Sequence, residues 1–146
     1  MKNPLQKDSP LPGTPFSAIP VCLYSLVSRT QTGILPHAID KKNIIINDVD
    51  DRITVRANEN ILAFIIGGLL SNAVLSSSDN CIRVETALAE NGIQLKVRNN
   101  GPFTYSSHMY SLIVLTEAAR QLGGDIYLKK GSGGGYAITL SLTAAA

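Results

Sequence analysis

Apolar positions along this chain recur with a helical period in three stretches and alternate in several others. Between 20 and 41, Leu23, Leu26, Val27, Ile34, Ala38 and Ile39 fall at near-helical spacing. This predicts a first helix, with Pro20 in its first turn and a bend or interruption at Pro36. Two short β-rich runs follow, 44-III-46 and 53-ITV-55, joined by the turn-prone NDVDD. A second helix from 59 to about 76 places residues 61, 62, 65, 66, 69, 70 and 73 on one apolar stripe. Asn58 is its expected cap, and Glu59 complements the positive end of its dipole. Gly67 and Gly68 in its middle cost about 1 kcal/mol each relative to Ala, which implies close packing there.

Alternation takes over in 81-CIRVETAL-88 and 93-IQLKVRN-99, around the hairpin turn Glu90-Asn91-Gly92. Ile82, Val84 and Leu88 share one face with Ile93, Leu95 and Val97 on the next strand. Arg83, Glu85, Gln94, Lys96 and Arg98 take the other, so the sheet is covered on one side and wet on the other. A third helix over 108–122 puts Met109, Leu112, Ile113, Thr116, Ala119 and Leu122 on its apolar stripe and stops at Gly123-Gly124. A last hairpin joins 125–130 to 135–142 through a glycine-rich turn. The order of elements predicts a two-layer α/β (α+β) sandwich: about three helices on one face of a mixed, mainly antiparallel sheet.

Length and composition narrow the class. At 146 residues the chain is one domain by size. Four of its seven prolines lie within residues 1–15, read as a flexible lead-in to a domain over 16–146. It is 45% hydrophobic with a net charge of +2, which gives no ground for nucleic acid as a partner. The longest apolar run, 61-ILAFIIGGLL-70, falls short of the roughly 18 residues a membrane span needs, so no membrane insertion is expected. The N-terminus lacks a secretory pattern. Cys22 and Cys81 read as buried free thiols, and a cytoplasmic location is the expectation. The turn 131-GSGGG-135 has no following Lys-Ser/Thr and opens a strand, so it reads as a hairpin and not as a phosphate loop. His37 and His108 lack the helical, acid-flanked setting of a phosphoacceptor, Glu85 and Glu117 form no acid/base pair, and no catalytic residue is assigned.

The order and spacing of several short signatures resemble the ATP-binding domain of sensor histidine kinases, within the Bergerat-fold group. The segment 34-ILPHAIDKKNIII-46 is similar to the family's helix entering its first strand, and 57-ANENILAFIIGGLLSNAVLSSS-78 to the helix bearing the N box. The stretch 93-IQLKVRNNGPF-103 occupies the place of the first glycine box. The closing helix and terminal hairpin correspond to 117-EAARQLGGDIYLKKGSGGGYAITLSL-142. The resemblance implies a two-component signalling protein and a nucleotide site built from Asn72, Asn99, Gly101 and Ser111. Asn72 would also be the metal ligand, provided Mg-nucleotide binds.

The same alignment shows departures. Asn99 stands where the family has an adenine-binding aspartate, and an amide accepts without charge. Phe103 replaces the second glycine of that box. Met109-Tyr110-Ser111-Leu112 retains none of the second box's glycines. Gly68 replaces an asparagine one turn before Asn72, and Leu75 stands at a position often held by lysine. The lid that folds over ATP is reduced to about half a dozen residues, with nothing left to exclude water. These departures imply a vestigial nucleotide site, no cofactor, and a role through contact with a protein partner in a bacterial-type signalling pathway; a homodimer is compatible with it. Phe103 and Met109 are expected to fill the old pocket, with Asn72 and Asn99 bonding each other, backbone or water. The alternative is a reduced kinase or ATPase domain that still binds Mg-ATP and phosphorylates a partner's histidine or serine.

Overall fold

The computed structural model describes residues 18–101, 105–131 and 133–143, the side chains of 105–110 excepted. The expected lead-in, residues 1–15, lies outside the described residues. Along the chain come β1 (Ile19–Cys22), α1 (Leu23–Asp40), β2 (Ile44–Asp48), β3 (Thr54–Ala57), α2 (Glu59–Leu75), β4 (Cys81–Ala89), β5 (Gly92–Asn99), α3 (Tyr105–Gln121), β6 (Asp125–Lys130) and β7 (Tyr136–Thr143). The main sheet has the order β2-β4-β5-β7-β6, and β1 pairs with β3 in a separate two-stranded sheet. Among the described residues only the β2–β4 pairing is parallel. The expected two-layer sandwich is therefore present, with a small accessory sheet added.

Helix α2 sits between its two neighbours and packs on both α1 and α3. Asn58 caps it, accepting the Ile61 N–H at 3.1 Å, while Glu59 in its first turn pairs with Arg29 of α1 at 2.7 Å. Leu62, Ile65, Ile66, Leu69, Leu70, Ala73 and Val74 are buried along it. They meet Ile82, Val84, Leu95, Val97, Ile138 and Leu140 from the covered side of the sheet. Of the mid-helix glycines, Gly68 is explained by its neighbour, while Gly67 has room for a side chain. A Cβ on Gly68 would stand 2.6 Å from Leu115 Cδ2 of α3, and one on Gly67 would reach Thr30 of α1 at 3.8 Å.

Five sequence expectations change. Pro20 lies in β1 opposite Arg56, not in a helix; β1 has a single strand neighbour, and an edge tolerates the missing N–H. Helix α1 runs through Pro36 to Asp40, because the carbonyl deprived of a donor belongs to the solvent-exposed Thr32. Leu88 is 81% exposed, since the β4–β5 hairpin extends past the helical cover. In α3 the buried stripe is Leu112, Leu115, Ala118 and Ala119, while Ile113 is exposed; the notch at Gly68 admits Leu115 and so sets the helix's rotation. Both cysteines are free but half-buried.

The connection between β2 and β3 is not a hairpin, because the two strands enter different sheets. It is held by Asp50, whose carboxylate accepts from the Arg52 guanidinium and backbone N–H. These bonds hold the Asp50 carboxyl at about 2, below the usual carboxylate range.

The turn after α3 follows from its two glycines. Gly123 takes φ +75°, and the Gly123 and Gly124 N–H groups close back on the Arg120 and Ala119 carbonyls. This is the double closure of a Schellman motif. A Cβ on Gly124 would collide with the Ser141 carbonyl oxygen on β7. Gly124→Ala is expected to cost about 2 kcal/mol or more, as overpacking against backbone does, read as a lower urea midpoint at unchanged m-value.

Candidate functional site

Strand β5 delivers Asn99 to the helix-facing side of the sheet, continuing the buried alternation of Ile93, Leu95 and Val97. Asn99 is 2% exposed. Its Nδ2 lies 3.2 Å from the Ala73 carbonyl, 3.3 Å from Ser77 Oγ and 3.3 Å from the Tyr136 hydroxyl. Its Oδ1 accepts the Gly101 backbone N–H at 2.8 Å. Ser77 Oγ donates in turn to the Ala73 carbonyl at 2.7 Å. Both ends of the Asn99 amide thus serve the protein, tying β5 to the last turn of α2. Gly101 fits beside them because a Cβ there would stand 2.7 Å from Asn80 Nδ2 and 3.2 Å from Ser77 Cβ.

A second amide reaches the same helix end from the residue before β2. Asn43 is 7% exposed. It donates through Nδ2 to the Val74 and Ser77 carbonyls at 2.9 and 3.0 Å, and accepts the Asn80 N–H at 3.0 Å. The end carbonyls of a helix lack intrahelical donors and must be satisfied from outside. Here two buried asparagines do so. Asn43, Ser77 and Tyr136 were not picked out by sequence reasoning.

Asn72 stands next to Ala73 and behaves differently. Its Nδ2 is buried with no hydrogen-bond partner among the described residues. Such an orphan costs about 1–3 kcal/mol, and sites of this kind commonly receive a water or a ligand atom. The expected bond between Asn72 and Asn99 is therefore not made: Asn99 turns to backbone, serine and tyrosine instead. Ser111 is half-buried on α3, one turn before the Leu115 that fills the Gly68 notch. Phe103 lies outside the described residues, as do the side chains of Met109 and Tyr110, so the expected filling of the pocket by Phe103 and Met109 falls there too. His37 is exposed in the last turn of α1. Among the described residues no group of three or more His, Cys, Asp and Glu is placed to hold a metal. Nor is any described helix long and apolar enough to cross a membrane.

No family profile matches the sequence, and no curated protein matches it significantly. Solved structures do match in fold. The histidine kinase AdeS of Acinetobacter baumannii superposes with TM-score 0.78 at 14% identity, over 88% of this chain and 68% of that one. Full-length ShkA in complex with AMPPNP gives 0.74 at 20% identity, over 89% of this chain and 32% of that one. Histidine kinase ThkA in complex with the response regulator protein TrrA gives 0.74 at 13% identity, over 88% and 42%. The chain has the histidine-kinase ATPase-like fold.

That fold implies Mg-ATP, and the residues present fit it poorly. The Asn99 oxygen already accepts from Gly101, its nitrogen is committed to Ala73, Ser77 and Tyr136, and Leu115 occupies the space beside Gly68. Among the described residues the buried Asn72 nitrogen is left without a partner.

Proposed function

We propose that this is a signalling domain of the two-component type that acts by contact with a protein partner, without turning over ATP. The reading rests above all on Asn99: a buried neutral amide, its nitrogen committed to the protein and its oxygen already accepting from Gly101, is a weaker acceptor for an adenine amino group than a free carboxylate. The β5–α3 connection supports it, since residues 100–104 are too few for a segment that closes over a nucleotide. A response regulator is the partner class suggested by the ThkA–TrrA complex. A second reading, weak Mg-nucleotide binding in service of a partner's phosphoacceptor, draws support from the orphan nitrogen of Asn72.

Calorimetry separates the two. Mg-ATP or Mg-ADP at sub-millimolar concentration and physiological ionic strength is expected to give no binding heat. A micromolar isotherm, with amide shifts at Ala73, Ser77 and Gly101, would overturn the first reading in favour of the second.

A further inference from the structure

The face of the sheet turned away from the helices carries a groove of about 480 Å³, lined by β5, β7, β6 and the glycine-rich turn. Alternation builds it. With Leu95 and Val97 buried inward, Lys96 and Arg98 point outward, and the register sets Lys96 beside Thr139 and Arg98 beside Ala137. Lys129 lies across from Ala137 on the other side. The short Ala137 side chain between two long cations makes the trough. The turn after β6 closes one end, where Gly131 N–H bonds the Gly135 carbonyl at 2.7 Å. Gly135 allows the close approach, because a Cβ there would stand 2.6 Å from the Asn99 carbonyl oxygen.

Of the carboxylates on this face, Glu85 stands across from Lys96 and Asp125 across from Ser141, and neither lines the groove. Glu85 pairs with Arg98 at 2.8 Å and Asp48 with Arg83 at 3.3 Å. Lys96 and Lys129 have no carboxylate partner among the described residues. Lys96, Arg98, Lys129 and Lys130 all line the groove with no carboxylate among its described lining residues, and a concave surface focuses that positive potential. A second feature points the same way. Thr139 is only 9% exposed, lines the groove, and its hydroxyl has no hydrogen-bond partner among the described residues. That hydroxyl still reaches solvent, so it is free to donate to a bound ligand.

We propose that this groove binds a small phosphate-bearing anion, with phosphoryl oxygens held between Lys96 and Lys129 over Ala137 and meeting the Thr139 hydroxyl. Its volume is that of a small-ligand pocket, about 300–1,000 Å³. A protein interface, by contrast, needs about 800 Å² on each partner, and the neighbouring rows on this face carry charges already paired. Asn99, at the end of β5, lines one rim of the groove and Asn72 does not, and the proposal does not depend on the reading of the domain's function. Inorganic polyphosphates and the phosphate chain of a nucleotide share the chemistry recognised.

The test titrates the full chain with inorganic pyrophosphate at low ionic strength, following backbone amides by NMR. Saturable shifts are expected at Ala137, Thr139 and Gly133. The double variant Lys96→Gln/Lys129→Gln should weaken binding about tenfold or more, the loss of two charge-assisted contacts. Thr139→Val should weaken it severalfold, and Lys41→Gln/Arg120→Gln, which removes the same charge elsewhere, should leave it unchanged. Adenosine should cause no shifts at the groove, and ADP should match pyrophosphate there. Absence of saturable shifts at these amides, or equal weakening by both double variants, overturns the proposal. ADP shifts confined to Ala73, Ser77 and Gly101 would overturn the ATP-free reading of the domain, while the pyrophosphate titration still decides this one.

Discussion

Asn99→Asp is expected to destabilise the protein by about 3 kcal/mol at neutral pH, the cost of a buried charge lacking its partners. It is also expected to leave Mg-ATP binding undetected, although the change restores the residue the family carries there. The carboxylate would face the Ala73 carbonyl at the position where Nδ2 now donates at 3.2 Å. An acceptor would then meet an acceptor in a residue 2% exposed. Burial and the facing carbonyl disfavour the ionised form, so the new carboxyl's folded pKa is raised above its unfolded value of about 3.9. The sign follows: the penalty is absent below the unfolded pKa, grows through the interval, and is complete above the raised folded pKa. Urea unfolding of variant and parent from pH 4 to 8 should show curves that converge on the acid side. A variant as stable as the parent at neutral pH would mean that the Asn99 brace contributes little. A variant that gained micromolar Mg-ATP affinity would mean that charge alone had silenced the site.

Asn43→Ala is expected to cost about 3 kcal/mol, on the scale of several lost hydrogen bonds with buried groups left unsatisfied. Truncation strands the Val74 and Ser77 carbonyls and the Asn80 N–H together. Thermal and urea unfolding measure the loss. Amide exchange should show it concentrated at residues 74–80, because the bonds removed close that segment. Exchange loosened evenly over the whole chain would refute the local account.

How much of this was legible in the sequence depends on whether the deciding contact was local. Helix α2 could be placed because its cap, its acidic first turn and its apolar stripe are neighbours in sequence. The β4–β5 hairpin followed from alternation around a short turn. Strand β1 was missed because its four residues form a strand only through pairing with β3, more than thirty positions on. The phase of α3 was misjudged because 112-LIVL-115 is apolar throughout, so periodicity alone leaves the inward face open; the notch at Gly68 decides it. Leu88 fits the alternation, yet alternation carries no information about where the covering layer ends. At the candidate site the inward orientation of Asn99 was readable from strand geometry. Its bonds to Ser77 and Tyr136, 22 and 37 positions away, were not.

The bond between the Asn99 side chain and the Gly101 N–H also bears on how the protein ages. Asn100 is exposed and followed by glycine, the pairing in which an asparagine side chain most readily cyclises onto the next backbone nitrogen and loses ammonia. That attack needs the Gly101 nitrogen freed of its hydrogen and swung towards Asn100. Here the hydrogen is held by Asn99 Oδ1 at 2.8 Å, and the glycine is wedged against Asn80 and Ser77. The arrangement that closes the end of β5 therefore also acts as a chemical preservative, slowing deamidation at one of the chain's two Asn-Gly bonds, the other being Asn91-Gly92.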